Sequence, residues 1–194
     1  EHAIQQGVIK NEIVQMPFCQ DCEISLVDAL LSGICPHCQS PSHGACEACG
    51  MVTAPFELEK PHCVRCSKSA TTKSTSIYTF DLKNHLHLIR NDVNSLKLSP
   101  RLQQLVQQVI NTESDLKVIV SHPSNNQLGL RLPNSDQNIH VWFEMAAHYE
   151  SFSLQSKKWI HCFGFDNSFY YLLFIPALLR AMNTSTESVS KFPD

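Results

Sequence analysis

A chain of 194 residues with 43% hydrophobic and 17% charged residues has the apolar content of an ordinary soluble globular protein and can bury a core as one domain or two. Its formal net charge of −3 argues against a broad nucleic-acid-binding face, so DNA is not an expected partner. No apolar run approaches the roughly 20 residues that span a bilayer, which sets a membrane role aside.

The chain starts "EHAIQQGVIK", without an initiator Met or an apolar leader, and reads as the inside of a longer, cytoplasmic protein. Eight of the nine cysteines then fall in four C-x-x-C pairs, Cys19/Cys22, Cys35/Cys38, Cys46/Cys49 and Cys63/Cys66, with Cys162 left over. The two sulfurs of a C-x-x-C turn point the same way, so one tight loop supplies half of a tetrahedron and two loops close a four-thiolate site. Zinc fits such a set best, and a site saturated by four thiolates leaves no open position for water, so the metal is structural. A disulfide framework belongs to an oxidising compartment, and a thioredoxin-type redox pair needs one C-x-x-C on a βαβ unit. Spacing permits sequential pairing (19/22 with 35/38, 46/49 with 63/66) or nested pairing (35/38 with 46/49 inside 19/22 with 63/66). His37, His43 and His62 lie beside the ligands and are expected in solvent or behind the thiolates.

Residues 16–70 have weak apolar periodicity and are not expected to form a packed core, so metal must supply folding free energy on the order of 10 kcal/mol per site. "SKSATTKSTS" (67–76) reads as a polar connector. From Tyr78 the pattern changes. Asp81 is placed to cap a helix carrying Leu82, Leu86, Ile89, Val93 and Leu96, on which the "HLH" at 85–87 points its imidazoles to different faces and counts as surface. Ser99 and Pro100 start a second helix with Leu102, Leu105, Val106, Val109 and Ile110 on one face. Short apolar runs at 116–120, 128–132, 139–143 and 159–163 predict strands. The last meets Gly164, after which Asp166 or Asn167 starts a long apolar helix that Pro176 should kink. A strand, a Gly and a helix N-terminus make a nucleotide-facing corner in α/β folds.

Taken in order, "MPFCQDCEISLVDALLSGICPHC", "CEACGMVTAPFELEKPHCVRC", "IYTFDL", "VWFEMAAHY" and "HCFGFDNSFYYLLFIPALL" resemble the middle of the catalytic domain of methionyl-tRNA synthetases, class I aminoacyl-tRNA synthetases. The resemblance implies an α/β fold: part of a Rossmann-type parallel sheet interrupted by a zinc-knuckle lobe. Residues 1–15 would end the first Rossmann half, 16–76 would form the connective insertion and 77–194 the second half. It implies nested pairing, with one zinc on Cys35, Cys38, Cys46 and Cys49 and a second on Cys19, Cys22, Cys63 and Cys66. Family members are ligases that join methionine to ATP and transfer the acyl group to tRNA, mainly by electrostatic clamping of phosphates. Trp142, Tyr149 and Asp166 match the family's cleft, and Gly164 would keep the strand-to-helix turn open; without the resemblance the two aromatics would count as core.

The departures matter for function. Phe165 stands where the family has the Lys of G-K-D, and Glu144 replaces the Asp of V-W-F-D. His148 replaces a Gly, Tyr171 a His, Ile175 a Trp, and His122-Pro123 stands where S-R-D is expected. H-I-G-H and K-M-S-K-S do not occur in these 194 residues, so the chain alone is not expected to activate an amino acid. Two alternatives follow: a degenerate zinc protein acting as a binding or regulatory module, and a synthetase-like enzyme that activates another amino acid for biosynthesis. The insertion carries few cations (Lys60, Arg65, Lys68, Lys73), so an RNA contact through it should be weak.

Overall fold

The computed structural model describes residues 2–124, 129–153 and 162–183. A short helix α1 (His2–Gln5) leads into β1 (Ile9–Cys19), followed by β2 (Ile24–Ser25), β3 (Leu31–Ile34), β4 (Pro41–Ser42), β5 (Glu59–Cys63) and β6 (Thr71–Asp81). Then come α2 (Leu82–His85), α3 (Arg90–Ser95), α4 (Pro100–Ile110), β7 (Lys117–Ile119), β8 (Ser121–Pro123), β9 (Gln137–Ile139), α5 (Val141–Ser153) and α6 (Ile175–Asn183).

The organising element is a long antiparallel ribbon. β1 and β6 pair from Ile9↔Phe80 at one end to Phe18↔Thr71 at the other, in a sheet of order β2-β1-β6-β7. At the Ile9/Phe80 end the ribbon is part of the main core, where Ile9, Phe80, Val118, Leu105, Val109, Leu173 and Phe174 are buried together beneath the helices. At the other end it carries a lobe built on the three-stranded sheet β4-β3-β5. An ion pair braces the sheet: Lys117 Nζ lies 2.6 Å from Glu12 Oε2 and the Thr79 hydroxyl donates to Glu12 at 2.9 Å. Burial alone would raise the Glu12 carboxyl, but those two donors outweigh it and hold it below its ordinary value.

Several elements differ from the sequence expectation, each for a physical reason. Residues 71–76 are not a connector but the outer half of β6; Thr71, Thr72 and Thr75 suit an extended strand, and cross-strand pairing with β1 holds them although they are mostly exposed. The segment 16–70 has a small core of its own, Ile24, Leu26, Leu31 and Leu58 against Cys19 and Cys63. The helix from Leu82 is broken into α2, a 3-10 turn at Leu86–Leu88 and α3, while Asp81 caps it as expected, accepting from Asn84 N. His85 is half-buried, its ring stacked on Phe80 with centroids 4.7 Å apart, while His87 is exposed. Ser99 makes no side-chain cap, and Pro100 alone marks the start of α4. Of the run 128–132, the described part contributes only an isolated bridge, Arg131↔Asn138.

The run 139–143 is a strand only as far as Ile139; from Val141 it is helix α5. A short apolar run cannot be assigned by periodicity, and the helix formers that follow it, Glu144, Met145, Ala146 and Ala147, decide the outcome, with the amides of Phe143 and Glu144 both donating to His140 O. Residues 159–161 of the fourth run lie outside the described residues, and among the described residues every strand pair is antiparallel. Before α6 the chain takes a wide π-helical turn over Tyr170–Phe174. Pro176 has no N–H and its ring crowds the carbonyl four residues back, so widening the turn is the way the long helix passes through it.

Candidate functional site

The eight paired cysteines meet as two nested quartets. Cys19, Cys22, Cys63 and Cys66 form one, and Cys35, Cys38, Cys46 and Cys49 the other, with all sulfurs of a quartet within 4.8 Å of one another. Cys19 and Cys66 sulfurs are 3.5 Å apart, as are those of Cys38 and Cys46, and all are free thiols. The outer quartet closes across the end of the β1–β6 ribbon and the inner one lies beside β3.

The knuckles share one local conformation. In three of them the amide after the second cysteine donates back to the first: Gln39 N to Cys35 O (2.9 Å), Gly50 N to Cys46 O (2.8 Å) and Ser67 N to Cys63 O (2.8 Å). In all four that residue is left-handed: Glu23 (φ 53), Gln39 (φ 60), Gly50 (φ 78) and Ser67 (φ 61). Three side-chain-bearing residues therefore hold a conformation that costs roughly 1–2 kcal/mol each, a strain that an assembled quartet must over-determine.

The thiols also crowd one another electrostatically. Burial and the neighbouring sulfurs of Cys66, Cys19 and Cys63 push the Cys22 thiol up to about 12. At Cys63 burial opposes ionisation, but the amides of Cys66 and Arg65 and the thiols beside it outweigh that and bring it down to about 7. The inner quartet repeats the split, with Cys49 raised, burial first, and Cys38 brought down to about 6 by Ser40 and its fellow thiols against burial. Four sulfurs this close cannot all ionise without a cation among them, and a divalent ion removes the conflict. Each quartet could hold a metal ion, and its all-sulfur donor set suits zinc. His37, His43 and His62 stand outside both quartets; His43 Nδ1 lies 2.7 Å from Leu31 O.

Between the inner knuckle and the body lies an open cavity of about 410 Å³. Asp28, Thr53, His140, Trp142, Asp166 and Tyr170 are among the residues that line it. The Trp142 ring stacks flat on Tyr170, centroids 4.0 Å apart at 8°, and meets Tyr171 edge-on at 5.5 Å. Tyr149 packs edge-on against Tyr171 at 5.9 Å, and burial together with Tyr171 pushes its hydroxyl up to about 12. Of the residues singled out from sequence, Trp142 and Asp166 reach the cavity, while Tyr149, Tyr171, Glu144 and Gly164 are outside the lining, Tyr171 touching Trp142 and Tyr149 touching Tyr171. A Cβ at Gly164 would sit 2.5 Å from Asp166 Oδ1, a contact that turning the Asp166 side chain relieves.

Sequence reading missed Asp28, Thr53, His140 and Tyr170. His140, almost fully buried, places Nε2 3.0 Å from Asp28 Oδ1 and so ties the inserted lobe to the body. Burial raises the Asp28 carboxyl, and His140 with the nearby His122 pulls it below its ordinary value. A depressed carboxyl stabilises the fold above the unfolded-state value, and that contribution is lost as pH falls through the folded one.

A second tie lies on the other side of the knuckle. Arg101, on α4, donates to Glu47 O (2.9 Å) and Ala48 O (3.0 Å), and its guanidinium carbon sits 3.5 Å from the centre of the Phe165 ring. Arg101 and Phe165 thus form a cation–π pair beside the inner knuckle. The knuckle turn at Gly50 presses on the same ring: a Cβ would lie 2.9 Å from Phe165 Cζ and 3.0 Å from Leu105 Cδ2. With φ at +78 as well, Gly50→Ala is expected to lower stability by about 2–4 kcal/mol, read as a lower urea midpoint at unchanged m-value. An unchanged midpoint would mean that the knuckle is not seated against α4.

An antiparallel ribbon that carries two four-cysteine groups onto a helix-covered sheet, with an aromatic cleft beneath the inner group, defines a mixed α/β protein with an inserted cysteine lobe. The chain belongs to the family described as tRNA synthetases class I (M), which matches residues 1–190. It is similar to the methionine–tRNA ligase of Methanococcus maripaludis, 26% identical over 195 residues that cover 92% of this chain and 29% of that protein. It is also similar to that of Bacillus mycoides, 26% identical over 175 residues, 87% of this chain and 31% of the relative. Among solved structures, the apo form of Mycobacterium tuberculosis methionyl-tRNA synthetase superposes with TM-score 0.56 at 14% identity, covering 94% of this chain and 35% of that one. The form bound by methionyl-adenylate gives 0.54 at 15% identity, over 94% and 34%. These structures share the fold; the chain spans less than a third of the length of the two curated relatives.

Proposed function

We propose that the chain supplies the zinc-bearing insertion and one wall of the amino-acid cleft of a methionyl-tRNA-synthetase-like ligase. In this reading the complete protein, in the cytoplasm, activates methionine or a related amino acid with ATP and passes the acyl group to tRNA. Residues 1–15 and 77–194 would belong to the two halves of the catalytic domain and 16–76 to the insertion. Cys19, Cys22, Cys63 and Cys66 would hold one zinc and Cys35, Cys38, Cys46 and Cys49 the other, both structural. Bound there, zinc would supply cross-linking and neutralisation of thiolates and no substrate chemistry.

The observation that carries the reading is the pair of nested quartets in a chain matched to this family over residues 1–190. Within it, the Trp142–Tyr170 stack forms an apolar wall and Asp166 accepts from the substrate's amino group. Tyr171, with Tyr149 against it, holds Trp142 in place. Among the described residues no helix is long and apolar enough to cross a membrane.

The test is amino-acid-dependent ATP–pyrophosphate exchange by the complete protein, with elemental analysis alongside. About two zinc ions per chain are expected, together with exchange for at least one amino acid that Trp142→Ala lowers tenfold or more. Zinc at that stoichiometry with no exchange for any amino acid would overturn the ligase reading and leave a zinc-stabilised binding module.

A further inference from the structure

The inner knuckle is held to the body by a side chain whose place its own helix does not explain. Arg101 lies in the first turn of α4, where the helix dipole disfavours a cation. Its partners are two carbonyls and a ring: Nη2 donates to both Glu47 O and Ala48 O, and the guanidinium carbon lies 3.5 Å from the centre of Phe165. Glu47 and Ala48 are the two residues between Cys46 and Cys49.

Those two carbonyls depend on how the turn is wound. In a C-x-x-C turn the amides two and three places on face the first sulfur, as His37 and Cys38 do at Cys35, and Arg65 and Cys66 at Cys63. The equivalent amides after Cys46 are those of Ala48 and Cys49. A trans peptide plane carries its carbonyl opposite its amide, so winding those amides inward turns Glu47 O and Ala48 O outward, towards Arg101. A divalent ion drawn to the four sulfurs fixes that winding, and its loss frees both peptide planes to rotate.

The other end of the tie is the cleft. Phe165 opens the 3-10 turn Phe165–Asn167, which Asn167 N closes onto Gly164 O at 3.1 Å. The residue inside that turn is Asp166, which lines the cavity. The Phe165 ring is therefore packed between Arg101 and the knuckle residue Gly50, one position from a carboxylate of the cleft.

We infer that Arg101 is a positioning residue: by way of Phe165 it couples the winding of the inner knuckle to the placement of Asp166, so that the cleft is set only while the inner quartet is filled. The coupling rests on these contacts alone; that Asp166 meets a substrate rests on the ligase reading above.

The test is hydrogen exchange at the Asn167 amide in the zinc-loaded chain and its variants. Cys38→Ser empties the inner quartet from the knuckle that Arg101 does not touch. Arg101→Leu cuts the tie with both metals in place, and because Arg101 is exposed the variant should fold. Each should speed exchange at Asn167 about tenfold, the scale of one charge-assisted hydrogen bond, and the double variant should exchange no faster than either. The β6–β7 pair Phe80↔Val118 is the reference and should not move, whereas a general loss of stability would move it. Coupling is reciprocal, so Arg101→Leu should also release one of the two zinc ions about tenfold faster to a chromogenic chelator. Neither measurement on Arg101→Leu depends on Cys38→Ser leaving the lobe folded. An Asn167 amide or a zinc release unmoved by Arg101→Leu, additive acceleration in the double variant, or an equal loss of protection at Phe80↔Val118 would overturn the inference. ATP–pyrophosphate exchange by the complete protein is scored apart: Arg101→Leu should raise the KM for the amino acid about tenfold with kcat little changed. No activity in the unsubstituted protein sinks the ligase reading alone, and an unmoved KM sinks this inference alone.

Discussion

Removing the metal is expected to unfold the cysteine lobe and spare the body. The lobe's strands are short, from the two residues of β4 to the five of β5, and its apolar core is a handful of side chains around Leu26 and Leu31. Such a cluster cannot offset the ordering of about fifty residues at roughly 1–2 kcal/mol each, and the left-handed residues after each knuckle add strain. Thiolate–metal bonds worth on the order of 10 kcal/mol per site fill the deficit. Hydrogen exchange after chelation should therefore show lost protection in β3 and β5, and retained protection at the Ile9–Phe80 end of the ribbon, where the main core holds it. Cys35→Ser and Cys63→Ser should each cost one metal. Full protection of β3 in the chelated chain would show that the lobe folds on its own.

The cysteine pattern was legible because sulfur chemistry constrains spacing: two turns must each present two thiolates to one point. Spacing did not tell which pairs share a site, since loops of seven residues and of forty both close at modest entropic cost; the nested arrangement came only from the family resemblance, and the quartets have it. Nor could the left-handed turns be read where Glu23, Gln39 and Ser67 stand, because only Gly50 advertises that conformation in its side chain. The outer half of β6 was hidden for a different reason. Its side chains face solvent on both sides and carry no alternation, and its pairing depends on a partner strand more than fifty residues earlier, as in Thr71↔Phe18. The run at 139–143 shows the limit of apolar periodicity, with five residues that serve as the end of a strand and the start of a helix. Asp28 and His140 meet across 112 positions of sequence, and nothing local to either marks the contact. The aromatic wall was half legible: Trp142 was found through its motif, but the ring stacked on it is Tyr170, one position before the residue the motif pointed to.

Phe80→Ala should have the opposite effect to chelation, weakening the body while sparing the lobe. Phe80 is fully buried at the anchored end of the ribbon, paired to Ile9 on one side and Val118 on the other. Its ring stacks on His85 at 4.7 Å and 23°, and meets Phe174 edge-on at 5.7 Å and 78°. Truncation loses the transfer free energy of a whole ring and leaves a cavity that two strands and the π-turn of the last helix cannot collapse, a cost of about 3–5 kcal/mol. Against a typical total of about 5–15 kcal/mol, that is a large share of the stability of the body. About 0.5–1.5 kcal/mol of it belongs to the ring pair, so Phe174→Ala in the Phe80→Ala background should cost less than Phe174→Ala alone by that amount. The outer quartet lies at the Thr71 end of β6, at the far end of the ribbon from Phe80, so its zinc should be retained while the urea midpoint falls. Loss of both metals together with the midpoint would show that ribbon, lobe and body melt as one unit, and that the inserted lobe cannot be loosened without the core that carries it.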